Sequence, residues 1–335
     1  MQFINMPQIS GKNTYYTYKV SIRTDINLSE KITDFEKLIK IISSNRLIDF
    51  EDPSKKGFVA YQFDNDGPIE NSTPIEKSTV QNMLVVKHIE KKVIKNKPLP
   101  QEIIDLKKEK DIPENARNLL EKFIKREYIR TIPQDFIFIP GDSVTLIFPS
   151  NNCENTLTYQ LVPYLGDIFD IVPDINTRRI NHDLLEWLTW KVKRTNNGAL
   201  GDIYISEIQT YDSNARGNDG DLNIKIPHIE QNMYAMLSMG LCQGCKGVDV
   251  TLSYNKGVYR FILRPEGSYT PIWTATQAYD TDNSKVNKIL TIRDISLKII
   301  PYLYKKYVED KHNWDNEKGS IQDNLLEQVR KKIEV

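Results

Sequence analysis

One pair of cysteines has the spacing of a metal or redox site. Cys242 and Cys245 in "CQGC" stand three positions apart, and two thiolates at this spacing supply half of a zinc site or one redox dithiol. A structural zinc needs two further ligands, but the chain holds only one other cysteine and four scattered histidines. We therefore interpret "CQGC" as a turn and predict no metal and no cofactor.

A second candidate for chemistry is Glu90 with Lys92 in "HIEKK", with Asp64 or Asp66 upstream. This order loosely resembles the D…(D/E)xK layout of metal-dependent nucleases, where carboxylates hold Mg²⁺ and the lysine orients water. An E-x-K occurs by chance in many lysine-rich chains, and the sequence has no Gly-rich phosphate loop, nucleophile elbow or HExxH. We predict no catalytic residue and no enzyme, and keep a Mg²⁺-dependent nuclease as the alternative.

Positive charge is concentrated between residues 86 and 130. The whole chain has 45 basic and 45 acidic residues, whereas this segment has thirteen Lys and Arg against eight Asp and Glu, a net charge of +5. Its last part, "LEKFIKREYIRT", adds two aromatic residues. A local surplus of this kind suits a phosphate backbone even in a neutral protein. An acidic protein partner is the alternative.

The helix that we predict in "DIPENARNLLEKFIKREYI" separates its apolar residues from its cations. One apolar stripe at helical spacing is formed by Ala116, Leu119, Leu120, Phe123, Ile124 and Tyr128. Its cations largely fall elsewhere: Lys122, Lys125, Arg126 and, just beyond, Arg130. We expect the stripe to dock the helix and the cations to face an anionic partner.

The hydrophobic pattern predicts the elements that position this segment. The first half has an opening strand in "TYYTYKVSIRT", a helix capped by Ser29, and strands in "GFVAYQFD" and "NMLVVKHIE". Helices follow in "LPQEIIDLKKEK" and in the basic segment, then a hairpin of "DFIFI" and "VTLIF", and a helix interrupted near Pro163.

The second half repeats this order in outline. It has a helix in "DLLEWLTWKVKR", a strand in "LNIKI", a helix in "HIEQNMYAMLSMG", and a meander from "GVDVTLSY" to "YTPIWTATQAY". A last helix in "SKVNKILTIRDISLKIIPYLYKKYVED" is bent near Pro301. Trp187 and Trp190 could stack on bases, but their spacing favours the core.

These elements predict an α+β protein in two halves, each with an antiparallel hairpin or meander and packed helices. We place the halves at residues 1–172 and 173–311, with the stretch 166–183 as their connection and 312–335 as a charged, frayed tail. No apolar run reaches the ~18 residues of a membrane span, and no secretion signal precedes the first strand. Three cysteines favour a reducing compartment, so we expect a cytoplasmic protein with no membrane partner.

The order of these pieces resembles the recombination-associated protein RdgC family. The resemblance is carried by "NMLVVKHIEKKVI", "LLEKFIKREYIRTIPQDFIFIPGDSVTLIF", "LLEWLTW", "GDIYISEIQ", "DGDLNIKIPHIEQNMYAML" and "VDVTLSYNKGVYRFIL". It spans most of residues 14 to 275 and rests on order and spacing.

The resemblance implies a non-enzymatic homodimer that forms a ring around duplex DNA, binds with little sequence preference and restrains a RecA-type recombinase at the nucleoid. Single-stranded DNA is the alternative ligand. The family's basic-aromatic segment matches Lys125, Arg126, Tyr128 and Arg130, and its basic strand in the second half matches Lys225, with Gln231 nearby. "CQGC" is not part of the family pattern.

Overall fold

The structure, a computed structural model, describes most of the 335-residue chain. The described residues are 14–23, 33–47, 56–63, 73–93, 101–108, 113–174, 180–192, 198–213, 223–225, 245–280 and 282–334. They mix helices with antiparallel strands, which confirms the predicted α+β class. No helix in this part of the chain has both the length and the apolar composition that a membrane crossing requires.

The described residues form thirteen strands and eight α-helices, and each set is given in chain order. The strands are β1 (Tyr15–Ile22), β2 (Gly57–Ala60), β3 (Thr79–Val80), β4 (Met83–Val93), β5 (Ile129–Ile139), β6 (Val144–Pro149), β7 (Phe169–Pro173), β8 (Ala199–Leu200), β9 (Ile203–Ser213), β10 (Asn223–Lys225), β11 (Cys245–Tyr254), β12 (Gly257–Leu263) and β13 (Tyr269–Pro271). The α-helices are α1 (Asp34–Ser44), α2 (Gln101–Lys108), α3 (Glu114–Tyr128), α4 (Cys153–Thr156), α5 (Val162–Leu165), α6 (His182–Trp187), α7 (Ser284–Asp294) and α8 (Ile300–Ile333).

In the described part of the chain, three π-helical turns extend these helices. They are Leu157–Leu161, Leu188–Val192 and Ile295–Ile299. Pro163 and Pro301 each follow one of these turns by two residues. Because proline has no backbone N–H, it cannot continue the regular hydrogen-bond ladder of an α-helix. The predicted interruption near Pro163 and the predicted bend near Pro301 thus coincide with π turns.

The chain divides into two compact units. We call Met1–Val20, Thr145–Glu154 and Ile171–Val335 the terminal unit, and Ser21–Val144 with Asn155–Asp170 the middle unit. The division predicted after residue 172 lies beside the boundary at Asp170. Strand β1 nevertheless belongs with the C-terminal part, because it pairs with β13 at Tyr15↔Tyr269. Periodicity within a segment cannot reveal such a distant pairing.

The middle unit is built on β4, which pairs antiparallel with β2, β3 and β5. Phe58 of β2 packs edge-on against Phe136 of β5 and Tyr164 of α5, with ring centroids 6.5 and 5.1 Å apart. Alternate positions of a strand point to opposite faces, and Val59 and Ile89 join Leu47 in a second buried cluster. Both faces of the sheet are therefore buried beside β2.

Helix α1 begins at Asp34, later than a cap at Ser29 predicts. Thr33 is its N-cap: the Thr33 hydroxyl accepts from the Glu36 backbone N–H and the Glu36 carboxylate accepts from that of Thr33, both at 3.2 Å. This capping box satisfies two backbone donors that a helix start leaves free. The signal, Thr-x-x-Glu at 33–36, is visible in the sequence, and Ser29 lies outside the described residues.

The terminal unit has a sheet in the order β10-β9-β11-β12-β13-β1-β6, with β8 paired to β9. The predicted meander is confirmed: β11 and β12 pair from Val248↔Leu263 to Tyr254↔Gly257. Asn255 and Lys256 both have positive φ in the turn, as a tight hairpin of type I′ requires. Along β12, buried and half-buried residues alternate, so one face packs inward.

Helix α8 corrects the prediction of a frayed tail, since it continues to Ile333. Asp183 of α6 accepts hydrogen bonds from four α8 side chains, those of Tyr307, Lys311, Trp314 and Lys318. These four residues are spaced four, three and four apart and so lie on one helix face. Leu325 and Val329 are buried further along the same helix. The charges of this segment are thus arranged for packing as well as for solvation.

Two further stretches differ from the sequence-based prediction. The expected connection at 166–183 contains strand β7, a short element without a long apolar run. The stretch "GDIYISEIQ", for which we predicted no strand above, contributes to the eleven-residue strand β9, which pairs with β8, β10 and β11. Partners far away in the chain stabilise these strands, so local periodicity understates them. The helix predicted in "HIEQNMYAMLSMG" lies outside the described residues.

Candidate nucleic-acid interface

The basic segment of the middle unit is positioned by a helix that runs directly into a strand. Helix α3 ends at Tyr128 and β5 begins at Ile129. Strand β5 pairs with β4 over ten residue pairs, and the last of them are Lys91↔Thr131, Lys92↔Arg130 and Val93↔Ile129. The helix end and the ladder end therefore meet, and the basic positions of α3, β4 and β5 are brought together.

Helix α3 is docked on a narrower face than the sequence predicts. Ile124 is 8% exposed and Leu120 is half-buried, but Ala116 and Leu119 are exposed, and Leu119 by 68%. Residues 113 to 119 are all exposed. The predicted stripe covered about half of the helix circumference, whereas among its described side chains only Leu120 and Ile124 are at least partly covered. Inclusion of Ala116 and Leu119 in the docking stripe was wrong.

Away from Ile124, the basic and the acidic residues of α3 occupy different positions around the helix. Residues 119, 122 and 126 share one face, since they are three and seven positions apart. They are Leu119, Lys122 and Arg126, and Asn115 stands on the same face, four positions before Leu119. The acidic residues of α3, Glu114, Glu121 and Glu127, fall at none of these spacings. By position, this face of α3 carries two cations and no acid.

The predicted DNA-binding residues fall into three groups. Lys122, Lys125, Arg126 and Tyr128 are in α3 and Arg130 is in β5, so the middle unit holds five of them in one continuous segment. Lys225 is the last residue of β10, in the terminal unit, opposite Thr210 of β9. Gln231 lies outside the described residues. Lys91 and Lys92 were not predicted to belong to the site, because the register that brings them to β5 cannot be deduced from local pattern.

Further along the paired strands β4 and β5, away from their basic end, a lysine is paired with an aspartate. Lys87 of β4 stands opposite Asp135 of β5, and the Lys87 ammonium lies 3.2 Å from the Asp135 carboxylate and 4.8 Å from the centre of the Tyr61 ring. Both charged side chains are about one-fifth exposed. This pair compensates its own charge, so the basic surplus of the ladder begins four residues later, at Lys91.

His88 lies on β4 between this neutral pair and the basic end. It is fully buried, its Nε2 lies 3.2 Å from the Tyr164 hydroxyl, and Phe58 packs against its ring. Burial lowers the pKa of His88 from 6.5 to about 4, and the charge of Lys56 acts in the same direction. At neutral pH the imidazole is therefore uncharged and belongs to the packed core, where it adds nothing to the basic surface.

The E-x-K pair lies beside this histidine. Glu90 and Lys92 are two positions apart on β4 and so share a face of the strand with His88. Burial and the charge of Glu90 both raise the pKa of Tyr164. Asp64 and Asp66, the other members of the predicted nuclease arrangement, lie outside the described residues. Within the described part of the chain, no three His, Cys, Asp or Glu side chains come together as metal ligands.

The two other sequence candidates are in the terminal unit. Cys245 is fully buried at the start of β11, and its thiol lies 3.4 Å from the Gly247 carbonyl oxygen; Cys242 is outside the described residues. Trp187 and Trp190 are 1% and 6% exposed, which confirms their prediction as core residues. The Trp187 indole N–H donates to Asp310 at 2.9 Å. Neither tryptophan is accessible to a stacking base.

No protein-family model matches the chain, and no curated protein matches it either. The resemblance to the RdgC family therefore stays a prediction from the order and spacing of sequence elements.

Proposed function

We propose that this protein binds DNA through the phosphate backbone, with little sequence preference, by the basic segment of its middle unit. The observation that carries the proposal is the junction of α3 with the β4–β5 ladder. It gathers Lys122, Lys125, Arg126 and Arg130 with Lys91 and Lys92 of the neighbouring strand. Contacts of lysine and arginine with phosphates supply most non-specific affinity for DNA, and they carry no sequence information.

The register at the ladder end supports an anionic ligand. Lys92 stands directly opposite Arg130, and like charges at opposite positions of an antiparallel pair destabilise the ladder. An interior pair of the same strands, Lys87 with Asp135, shows the opposite-charge arrangement that stabilises. A bound phosphate would offset such repulsion, so an anionic ligand suits this register of the two strands.

The charge pattern along one face of α3 supports the same ligand. Its positions 115, 119, 122 and 126 include two cations and no acid. The acids of the helix occupy other positions, so a phosphate backbone along this face would meet no like charge. An acidic protein could also be attracted by such a face, and competition between DNA and a soluble polyanion measures how far the binding is specific to nucleic acid.

We further propose that the protein acts as a homodimer around duplex DNA and that it modulates recombination, in the cytoplasm at the nucleoid. The resemblance to the RdgC family supports this part. Physical reasoning agrees with it, because one modest patch per chain binds weakly, whereas two copies on one duplex act at high effective concentration. Light scattering should then give about twice the 38.9 kDa mass of the chain. A monomer that binds DNA tightly would contradict the ring.

The test is a gel shift with duplex DNA of unrelated sequences at about 50 and 200 mM salt, with and without Mg²⁺. We expect the same affinity for each sequence and a loss of at least tenfold between the two salt concentrations. Arg126→Ala with Arg130→Ala should weaken binding. The matched control is Lys305→Ala with Arg330→Ala, which removes two exposed cations of α8.

Three outcomes would contradict the proposal. They are absence of binding, binding that does not depend on salt, and equal loss in the control variant. Cleavage of the DNA that requires Mg²⁺ and disappears in Glu90→Ala would instead establish the nuclease that the E-x-K pair suggests.

A further inference from the structure

His88 joins three elements of the middle unit. Its ring lies edge-on to Phe58 of β2 and to Tyr164 of α5, with ring centroids 5.2 and 5.6 Å apart. In the ladder it stands opposite Phe58 on one side and Gln134 of β5 on the other. The imidazole is 0% exposed, so water has no access to it in the folded protein.

The hydrogen bonds of His88 suit the neutral ring. Its Nε2 lies 3.2 Å from the Tyr164 hydroxyl, which can donate to this nitrogen or accept from it. Its Nδ1 has no hydrogen-bond partner within the described part of the chain. An imidazolium carries an N–H on both nitrogens, so protonation in place would bury a charged donor without an acceptor. This costs far more than an uncharged nitrogen at the same position.

The charges around His88 do not compensate for a proton on its ring. Glu90, two positions along β4, would favour the imidazolium, whereas Lys56, just before β2, opposes it. Tyr164 is neutral, since burial and the charge of Glu90 raise its pKa, and Gln134 carries no charge. Burial, followed by Lys56, lowers the pKa of His88 to about 4. The influence of burial therefore exceeds that of Glu90.

We infer that His88 is an acid-sensitive switch in the middle unit: below about pH 6, uptake of a proton by its ring releases α5 from β4 and opens this unit while the terminal unit stays folded. This role is independent of DNA binding. The other described histidines, His182 and His312, lie in the terminal unit. Separate regions of one protein open with different free energies, and each opening follows the groups that it exposes.

The terminal unit keeps its buried carboxylates charged over the same pH range. Burial raises the pKa of Asp183, Asp294 and Asp310, but hydrogen bonds and ion pairs with neighbouring side chains lower it below the usual value of 3.8. The stability that such carboxylates contribute is present above this value and is lost as the pH falls below it. Acid therefore weakens the middle unit first.

The experiment measures amide hydrogen exchange of the full chain by mass spectrometry at about pH 6.5, 5.5 and 4.5, with correction for the intrinsic exchange rate at each pH. Protection in β4 and in residues 161–166 should fall roughly five- to tenfold for each pH unit, because opening takes up one proton. Tryptophan fluorescence of the same samples should keep the emission of the folded protein. It reports on the terminal unit, which contains all four tryptophans of the chain: Trp187, Trp190, Trp273 and Trp314.

Variants without the titrating ring identify the switch. His88→Gln offers a neutral amide in place of the ring nitrogens, and its protection should vary with pH by less than about twofold. His88→Phe is a second non-titrating variant, in case the amide disturbs folding, and should give the same flat profile. His312→Gln is the matched control, because His312 is an exposed histidine of α8. It should retain the pH dependence of the wild type.

Three results would overturn the inference. The first is protection in the wild type that does not change with pH. The second is a pH dependence that persists in both His88 variants, since carboxylates then control the opening. The third is a shift of tryptophan emission at the pH where protection is lost, since the whole chain then unfolds together. Failure to bind DNA at neutral pH would contradict the proposed function and leave this switch intact.

Discussion

Replacement of Asp183 by asparagine should destabilise the terminal unit because this carboxylate joins α6 to α8. One oxygen accepts from Tyr307 and from Lys311 at 2.8 Å, and the other from Trp314 at 3.0 Å and Lys318 at 2.5 Å. Burial alone would raise the pKa of Asp183, but these four donors together hold it well below its usual range. The carboxylate is therefore charged in the folded protein at all ordinary pH values.

The magnitude follows from the four contacts. Asparagine keeps one carbonyl oxygen, so two donors keep an acceptor while the other two face an amide NH₂. A hydrogen bond to a charged group contributes about 1.5–3 kcal/mol. Lys318 keeps its ion pair with Glu186 at 2.7 Å and Lys311 keeps Asp315, which reduces the loss. We expect Asp183→Asn to lower the free energy of unfolding by about 2–4 kcal/mol.

Urea unfolding followed by tryptophan fluorescence measures this change, since Trp187 and Trp314 lie at the α6–α8 contact. Asp315→Asn is the control: Asp315 also pairs with Lys311, but its side chain is 54% exposed, so the loss should stay below about 1 kcal/mol. If Asp183→Asn costs no more than this control, the carboxylate does not hold α8, and the packing of the C-terminal helix must be explained otherwise.

Four further predictions concern single sites. The pKa of His88 is lowered from 6.5 in the unfolded chain to about 4 in the folded protein, so the unfolded chain binds more protons between these two pH values. The free energy of unfolding should therefore fall by up to about 3 kcal/mol as the pH drops from 6.5 to 4. His88→Phe should flatten this pH dependence in thermal melts. Gly198→Ala should destabilise by more than about 2 kcal/mol in urea, because Gly198 has φ +84° and a Cβ would lie 2.0 Å from the Ile205 carbonyl oxygen; an unchanged midpoint would refute this. Arg260→Ala should cost about 2–4 kcal/mol in the same assay, because it leaves the buried Asp249 without its two-point partner at 2.9 and 3.1 Å, whereas Arg330→Ala on the surface should cost almost nothing. Glu90→Ala should leave DNA affinity unchanged in a gel shift, and a loss of binding would place this carboxylate in the site.

The sequence predicts the local elements well and the long-range assembly poorly. The alternation of β12 and the turn at Asn255–Lys256 depend on neighbouring residues, so pattern and turn chemistry are enough to predict them. The pairing of Tyr15 with Tyr269 depends on residues far apart in the chain and has no local signal. Strand β7 was missed for the same reason.

The C-terminal tail shows a second limit. Its high charge suggested fraying, because charged residues usually favour solvent. In the structure Lys311 and Lys318 fall on one helix face and reach a single carboxylate on α6. A heptad-like spacing of Tyr307, Lys311, Trp314 and Lys318 was visible, but the acceptor, 124 to 135 residues earlier, was not.

The DNA site stays a proposal, but the positions of its residues can be compared with the prediction. The cations of α3 were found from charge and periodicity, whereas Lys91 and Lys92 required the β4–β5 register. The predicted docking face of α3 included too many residues, since a helical wheel cannot show which part of an apolar stripe the neighbouring elements cover. Leu119 was assigned to the core on that basis, and its exposure became visible only with the packing of Ile124.

The account is tested most directly by the salt dependence of duplex binding. The measurement is the slope of log affinity against log salt for the wild type and for Arg126→Ala with Arg130→Ala. Each phosphate contact contributes about 0.9 to this slope. We predict a steep slope for the wild type and a slope smaller by about two in the double variant, with a melting temperature that does not fall. An identical slope in both proteins, or no binding by either, would contradict the proposal that this basic segment holds DNA.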